Sequence, residues 1–245
     1  MDNIGYIGLS RLSMMQQRLS TVAQNIANMN TTGFKQQMLV VNEYQNKTSL
    51  RGHISQVQDF AMLRNLSQGE LESTDNQLDV ALRGDGYLAV ETLSGIRYTR
   101  GGPLAIDNQG RLSTSTGLPV LNTQNQPMEV PEDADDLRIS ADGVISYLAD
   151  GDDDFQEIGQ MQVVQFDLPH YMTMLGDGLY ETDEDPQPDP DTAVVQFMLE
   201  KSNVNPILEM TNMIEISNQY QSMQNFMDKE NERQTQMMQR LGRAR

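Results

Sequence analysis

The chain contains no cysteine among its 245 residues, which excludes a disulfide framework, a thiolate nucleophile and thiolate metal ligands. Histidine occurs only twice, as His53 and His170, and neither sits in a motif that would pair it with a nucleophilic serine. Bases are scarce as well. The 17 lysines and arginines stand against 35 acids, a net charge of -18, so nucleic acid, whose phosphates need a cationic surface, is not an expected partner. No apolar run approaches the roughly 20 residues needed to cross a bilayer, and no direct membrane insertion is expected. Residues 1–10 lack a basic stretch followed by an apolar core, so no cleavable secretory signal is expected either.

The motifs that could carry chemistry are incomplete. Asp150-Gly151-Asp152-Asp153-Asp154 opens like a calcium loop, but Phe155 occupies the sixth position, which needs glycine, and Met161 the twelfth, which needs glutamate. The sequence Gly84-Asp85-Gly86 lacks the third glycine and the following helix of a dinucleotide fingerprint. Neither a phosphate loop nor zinc-ligand spacing occurs. No catalytic, metal-binding or cofactor-binding residue is assigned, and the reading excludes an enzyme.

What the chain does have is a pair of heptad patterns, one at each end. Leu12, Met15, Leu19, Val22, Ile26 and Met29 follow 3, 4, 3, 4, 3 spacing, and Met213, Ile216, Tyr220, Met223 and Met227 follow 3, 4, 3, 4, with Met237 and Leu241 back in register. Each set makes one narrow apolar stripe that a lone helix cannot bury. The economical partner is the other end of the chain, or the ends of neighbouring copies. Beside the first stripe lie Thr21, Asn25, Asn28 and Thr32, either a solvated face or amides that bond across an interface and fix its register. Gly33 marks the helix stop and Phe34 an apolar anchor beyond it, while Asn205-Pro206 reads as an N-cap and first helical residue. Several of the 17 methionines lie on these stripes, where unbranched side chains pack adaptably.

The middle differs in texture and in charge. Residues 36–205 carry 29 acids and 9 bases, whereas residues 206–245 are neutral with five of each, so the ends can pack without strong repulsion. From residue 78 short apolar runs are punctuated by Gly84-Asp85-Gly86, Asn108-Gln109-Gly110, Asp142-Gly143 and Asp150-Gly151, with strands expected over 87–92, 96–100, 144–148, 161–166 and 193–199. The fold class is α+β: terminal helices paired as a coiled-coil-like domain and a central antiparallel β domain. The expected partition is 1–34 with 206–245 as the helical domain, 35–77 with 181–205 as an extended connector, and 78–180 as the β domain. Within 181–191, Pro186, Pro188 and Pro190 predict an extended surface loop.

Ordered motifs along almost the whole chain resemble the bacterial flagellar rod and hook protein family. They include Ala27-Asn28-Met29-Asn30-Thr31-Thr32-Gly33-Phe34-Lys35, Leu78-Asp79-Val80-Ala81-Leu82 before Gly84-Asp85-Gly86-Tyr87, Tyr98-Thr99-Arg100, Leu175-Gly176-Asp177-Gly178-Leu179-Tyr180 and Leu199-Glu200-Lys201-Ser202-Asn203-Val204-Asn205-Pro206. The resemblance implies a non-enzymatic proximal rod subunit, exported by the flagellar type III apparatus and assembling across the periplasm with other rod proteins and copies of itself. Such a rod transmits torque from motor to hook. It also implies an assembly interface at Leu12, Met15, Leu19, Val22, Asn25, Ile26, Asn28, Met29, Phe34, Asn203, Asn205, Met213, Ile216, Tyr220, Met223 and Met227. The alternatives are a distal rod subunit and, from another class, a ligand-binding β module on a coiled-coil stalk. The terminal helices are expected to be mobile before assembly.

Overall fold

The first helix, α1, spans Asp2–Ala27, and the second, α2, spans Pro206–Arg243, in a computed structural model that describes residues 2–48, 52–132, 134–149 and 154–243. α1 ends just ahead of Gly33, whose φ of +68° costs a glycine little and turns the chain away from the helical path. α2 begins as expected. The Asn205 Oδ1 accepts hydrogen bonds from the backbone N–H groups of Ile207 and Leu208, at 3.1 and 3.2 Å, with Pro206 as the first helical residue.

The chain divides into two units, a helical one of Met1–Ala27, Gln37–Arg64 and Val204–Arg245 and a β unit of Asn28–Gln36 and Asn65–Asn203. In the helical unit, Met15, Val22 and Ile216 are buried together, and Leu19, Ile26, Met213, Tyr220 and Met223 pack around them. The helices run antiparallel: Asn25 meets Glu209 at one end, and Gly8 lies against Met227 and Met223 at the other. Gly8 permits that approach, because a Cβ there would fall 2.1 Å from the Met227 sulfur.

Residues 37–64 depart from the expected connector. They form an antiparallel hairpin of β1 (Gln37–Thr48) and β2 (Gly52–Arg64), in register from Gln37↔Arg64 to Thr48↔Gly52 with one irregularity between Asn42 and Glu43. A two-stranded hairpin is marginal by itself. Its base is tied to α1 by Asn25, which bonds both the N–H and the C=O of Gln37 at 2.9 Å, and by Thr21, whose hydroxyl lies 3.7 Å from the Met62 sulfur.

The β unit is wider than the expected 78–180. Its strands are β3 (Leu71–Ser73), β4 (Asp79–Arg83), β5 (Tyr87–Thr92), β6 (Gly95–Thr99), β7 (Gly101–Ile106), β8 (Leu112–Thr114), β9 (Ala134–Ile139), β10 (Val144–Ala149), β11 (Gln156–Gln160), β12 (Val163–Gln165), β13 (Thr173–Met174), β14 (Leu179–Glu181), β15 (Gln187–Pro188), β16 (Ala193–Gln196) and β17 (Met198–Glu200). All described pairings are antiparallel, in sheets ordered β13-β14-β6-β5-β12-β15, β16-β4-β7-β8, β11-β10-β9 and β17-β3. The expected strand over 193–199 breaks at Phe197, whose φ of +61° sends β16 and β17 to different partners.

One core cluster gathers Val80, Leu82, Leu88, Val90, Leu112, Val120, Ile145 and Met161 from four-, six- and three-stranded sheets and the bridges between them. A second cluster stacks Tyr87, Tyr98, Phe166 and Tyr180 edge to face, with Tyr98 and Phe166 centroids 4.7 Å apart. The proline-rich segment over 181–191 is not a free loop. Gln187–Pro188 pairs with β12 as the last strand of its sheet, where a residue without an N–H is tolerated, and Asp189 is buried, accepting the Thr192 hydroxyl at 2.5 Å. The acidic turn at 150–154 lies, except for Asp154, outside the described residues.

Candidate assembly surface

The interface residues expected from sequence fall into three groups. Met15, Leu19, Val22, Ile26, Met213, Ile216, Tyr220 and Met223 pack together on the α1–α2 seam, joined by Met14, while Met227 lies against Gly8 and Leu12 is half-buried outside that cluster. The seam is therefore filled from within the chain, and α2 carries it one step further at Glu209, four residues before Met213. Glu209 is 3 % exposed, and its Oε2 accepts from the Asn25 Nδ2 at 3.3 Å. A carboxylate at an apolar-stripe position was a readable signal that the sequence reading passed over.

Asn25 and Asn28 separate. Asn25 is 1 % exposed and spends its amide inside the chain, on Gln37 and, across the α1–α2 interface, on Glu209, which corrects the solvated-face reading. Burial without partners would be costly, and three bonds remove that cost. Asn28 lies past the end of α1, where its Oδ1 accepts the Thr31 hydroxyl at 3.2 Å in the turn that follows, and Met29 lies in the same turn. Neither residue continues the helical stripe.

Phe34, Asn203 and Asn205 complete the set. Phe34 is buried in the β unit at 2 % exposure. Asn203 accepts the Gln36 N–H at 2.7 Å and donates to the carbonyls of Asn65 and Ser67 at 2.8 Å each. Asn205 is the helix cap already described.

What the helical unit leaves uncovered is a second apolar face. Ile207, Met210 and Ile214 follow 3, 4 spacing about 130° around α2 from the seam, and they are 79, 48 and 64 % exposed. On α1, Tyr6 and Leu9 are 65 and 63 % exposed. The register set by Gly8 against Met227 also leaves the last turns of α2 without α1 alongside, and there Met238 is 67 % exposed. These apolar groups stay exposed on helices whose seam is already packed.

The sequence reading also missed a buried charge cluster in the β unit. Lys35 and Glu200 form an ion pair at 2.6 Å and Arg100 joins the same carboxylate at 3.2 Å, with the three side chains 2, 1 and 4 % exposed. Burial pushes the Lys35 ammonium below its ordinary value, while Glu200 pulls in the opposite direction. Each residue is ordinary in its local sequence, and only the fold brings them together. Among the described residues no group of three or more His, Asp or Glu side chains is placed to hold a metal.

Three segments match described families: residues 6–35 the flagella basal body rod protein family, residues 81–147 the flagellar hook protein FlgE/F/G D1 domain, and residues 195–240 the flagellar basal body rod FlgEFG protein C-terminal region. The chain is 36% identical over 249 residues to the flagellar basal-body rod protein FlgF of Caulobacter vibrioides, covering 99% of both chains. It is 30% identical to the flagellar basal-body rod protein FlgG of Bacillus subtilis, over 89% of this chain and 90% of that one. Against FlgF of Escherichia coli the identity is 31%, over 87% of this chain and 88% of the relative.

Proposed function

The chain belongs to the family of flagellar basal-body rod proteins, and from that premise we propose that it is an FlgF-type subunit of the proximal rod. Its role in the basal body is structural. It assembles with other rod proteins and with copies of itself into the shaft that carries torque across the periplasm, and it reaches that site through the type III export apparatus.

The observation that carries the assembly reading is the second apolar face. The seam residues from Met15 to Ile26 and from Met213 to Met227 pack on one another within the chain, and in this reading they hold the two helices together as a coiled-coil-like pair. Tyr6, Leu9, Ile207, Met210 and Ile214 then meet neighbouring subunits, together with the α2 end at Met237 and Met238. Helices packed along a shaft axis resist twist.

Ile214→Asp tests this. It places a charge on the exposed face without touching the seam, so helix content and stability of the monomer should change little, while rod incorporation and motility are lost. Ser222→Asp, at an exposed position about 80° around α2 from Ile214 and about 120° from Ile216, off both the exposed face and the seam, is the matched control. Wild-type incorporation of Ile214→Asp would overturn the reading of this face.

A further inference from the structure

The chain crosses between its two units at four points, after residues 27, 36, 64 and 203. Within the β unit, three of these points are tied into one network. The Asn203 amide bonds Gln36, Asn65 and Ser67, the Gln36 carbonyl accepts the Asn65 N–H at 2.8 Å, and the Asn203 N–H reaches the Phe34 carbonyl at 3.3 Å. Directly beside it lies the buried charge cluster. The Glu200 Oε1 accepts from the Lys35 Nζ and from the Gly69 N–H at 2.9 Å, its Oε2 accepts from Arg100, and its backbone carbonyl accepts the Gly33 N–H at 2.7 Å. Lys35 also donates to the Ser67 carbonyl at 3.0 Å, and Arg100 to the carbonyls of Gly84 and Gly86.

Two cations thus share one carboxylate, with all three groups buried. Lys35 stands 165 residues before Glu200 in sequence and Arg100 stands 100 before it. Without Glu200, carbonyl oxygens would be left to hold two buried positive charges, an arrangement far more costly than a compensated one. Glu200 is also the last residue of β17, the final strand of the unit, so its arrival completes the sheet and gives both buried cations their one shared counter-charge in the same step.

We infer that Glu200 is the closing element of an electrostatic lock: its docking permits Lys35 and Arg100 to be buried, and so fixes residues 33–36, 65–70 and 198–203 in one cooperative event. Until β17 docks, the segment around Lys35 has no favourable buried position, and the points where the chain leaves the β unit stay undefined. After docking, those points are rigid. The inference rests on the assembly reading only in its consequence, that rigid exits suit a subunit bearing mechanical load; the lock itself is a property of the monomer.

The test is amide hydrogen exchange on the full-length monomer. Glu200→Gln keeps the shape and the hydrogen-bond acceptor while removing the charge, and should speed exchange at residues 33–36 and 65–70 roughly tenfold or more, with β5 and β10 unchanged. Lys35→Met in that background removes one of the stranded cations and should recover much of the protection. Asn203→Ala, which strands no charge, should loosen Gln36 and Asn65 while leaving Gly69 protected.

Protection that falls equally across the β unit, or Lys35→Met that adds to the loss instead of reversing it, would overturn the lock. Should Glu200→Gln fail to fold, the double variant Glu200→Gln/Lys35→Met decides: removing one stranded cation should restore folding with protection at 33–36 and 65–70, and a double variant that fails like the single one sinks the lock. Ile214→Asp leaves this cluster intact, so failure of the assembly reading and failure of the lock are separately visible.

Discussion

The β unit gathers fifteen buried apolar residues into its main core cluster, whereas the buried part of the helical unit's seam comes to three, Met15, Val22 and Ile216. The difference follows from geometry. Sheets pack face to face and bury alternate residues on several strands at once, while two helices meet along a single line. Both units also keep apolar side chains in water, Leu93, Leu168 and Tyr171 on turns and loops of the β unit and Ile207, Ile214, Tyr6 and Leu9 on the helices themselves. A unit with a broad core thus sits in the same chain as one with a narrow seam and apolar residues exposed along its helices.

Matched truncations should expose the contrast most strongly. Leu82→Ala removes a fully buried side chain from the β core and should cost about 2–5 kcal/mol. Ile216→Ala, flanked by half-buried neighbours that can collapse into the space, should lie at the low end, about 2 kcal/mol. Denaturant titration followed by helical circular dichroism and by tyrosine fluorescence separates the two, since the eight tyrosines include Tyr87, Tyr98 and Tyr180 of the β core. Equal shifts of both signals by both variants would erase the contrast.

The two regions were also unequally legible. The seam, the stop at Gly33 and the cap at Asn205 rest on spacing and local backbone preference, which a sequence displays directly. So do the Asn108-Gln109-Gly110 turn and β5 at Tyr87–Thr92. The hairpin over 37–64 was hidden because its strands are held by each other and by Asn25 across the bend, and neither strand is patterned enough to stand out. The proline-rich segment misled for a related reason. Proline forbids a central strand, yet β15 is the outermost of its sheet, a position that only topology reveals. The lock was least visible, because a lysine, an arginine and a glutamate far apart in sequence carry no mark of burial until three distant segments meet.

An intermediate effect is expected at Asn25, a buried amide in the helical unit's interior. Asn25→Leu fits the apolar surroundings by size but leaves the N–H and C=O of Gln37 without their side-chain partner, at a cost of about 1–3 kcal/mol. The loss should appear as faster exchange of the Gln37 amide and weaker protection at the base of the β1–β2 hairpin, with the β core untouched. Unchanged exchange at Gln37 would mean that the amide is ornamental and that the hairpin is held by its own pairing alone. That outcome would also weaken the claim that the helical unit's interior depends on a few specific contacts rather than on area.

The smallest expected effect is at the surface of the β unit, where the core should be indifferent to a single turn. Asp107 closes the turn between β7 and β8. Its Oδ1 accepts from the Arg111 and Gln109 N–H groups at 2.9 and 2.8 Å, and its Oδ2 accepts from the Arg111 Nε at 2.9 Å. The Arg111 backbone bond is the main cause that holds this carboxyl below its ordinary value of 3.8, with the Arg111 guanidinium and the Gln109 N–H adding to it against the cost of desolvation. A folded-state value below the unfolded one means that the unfolded chain binds the proton more readily. The contribution is therefore complete above about pH 4 and is lost as pH falls through the folded-state value. Asp107→Asn keeps an oxygen for the backbone N–H groups and removes the charge. In urea titrations the wild type should exceed the variant slightly at neutral pH, and the gap should close on acidification below about pH 4. A gap that stays constant with pH would show that shape, and not charge, carries the turn.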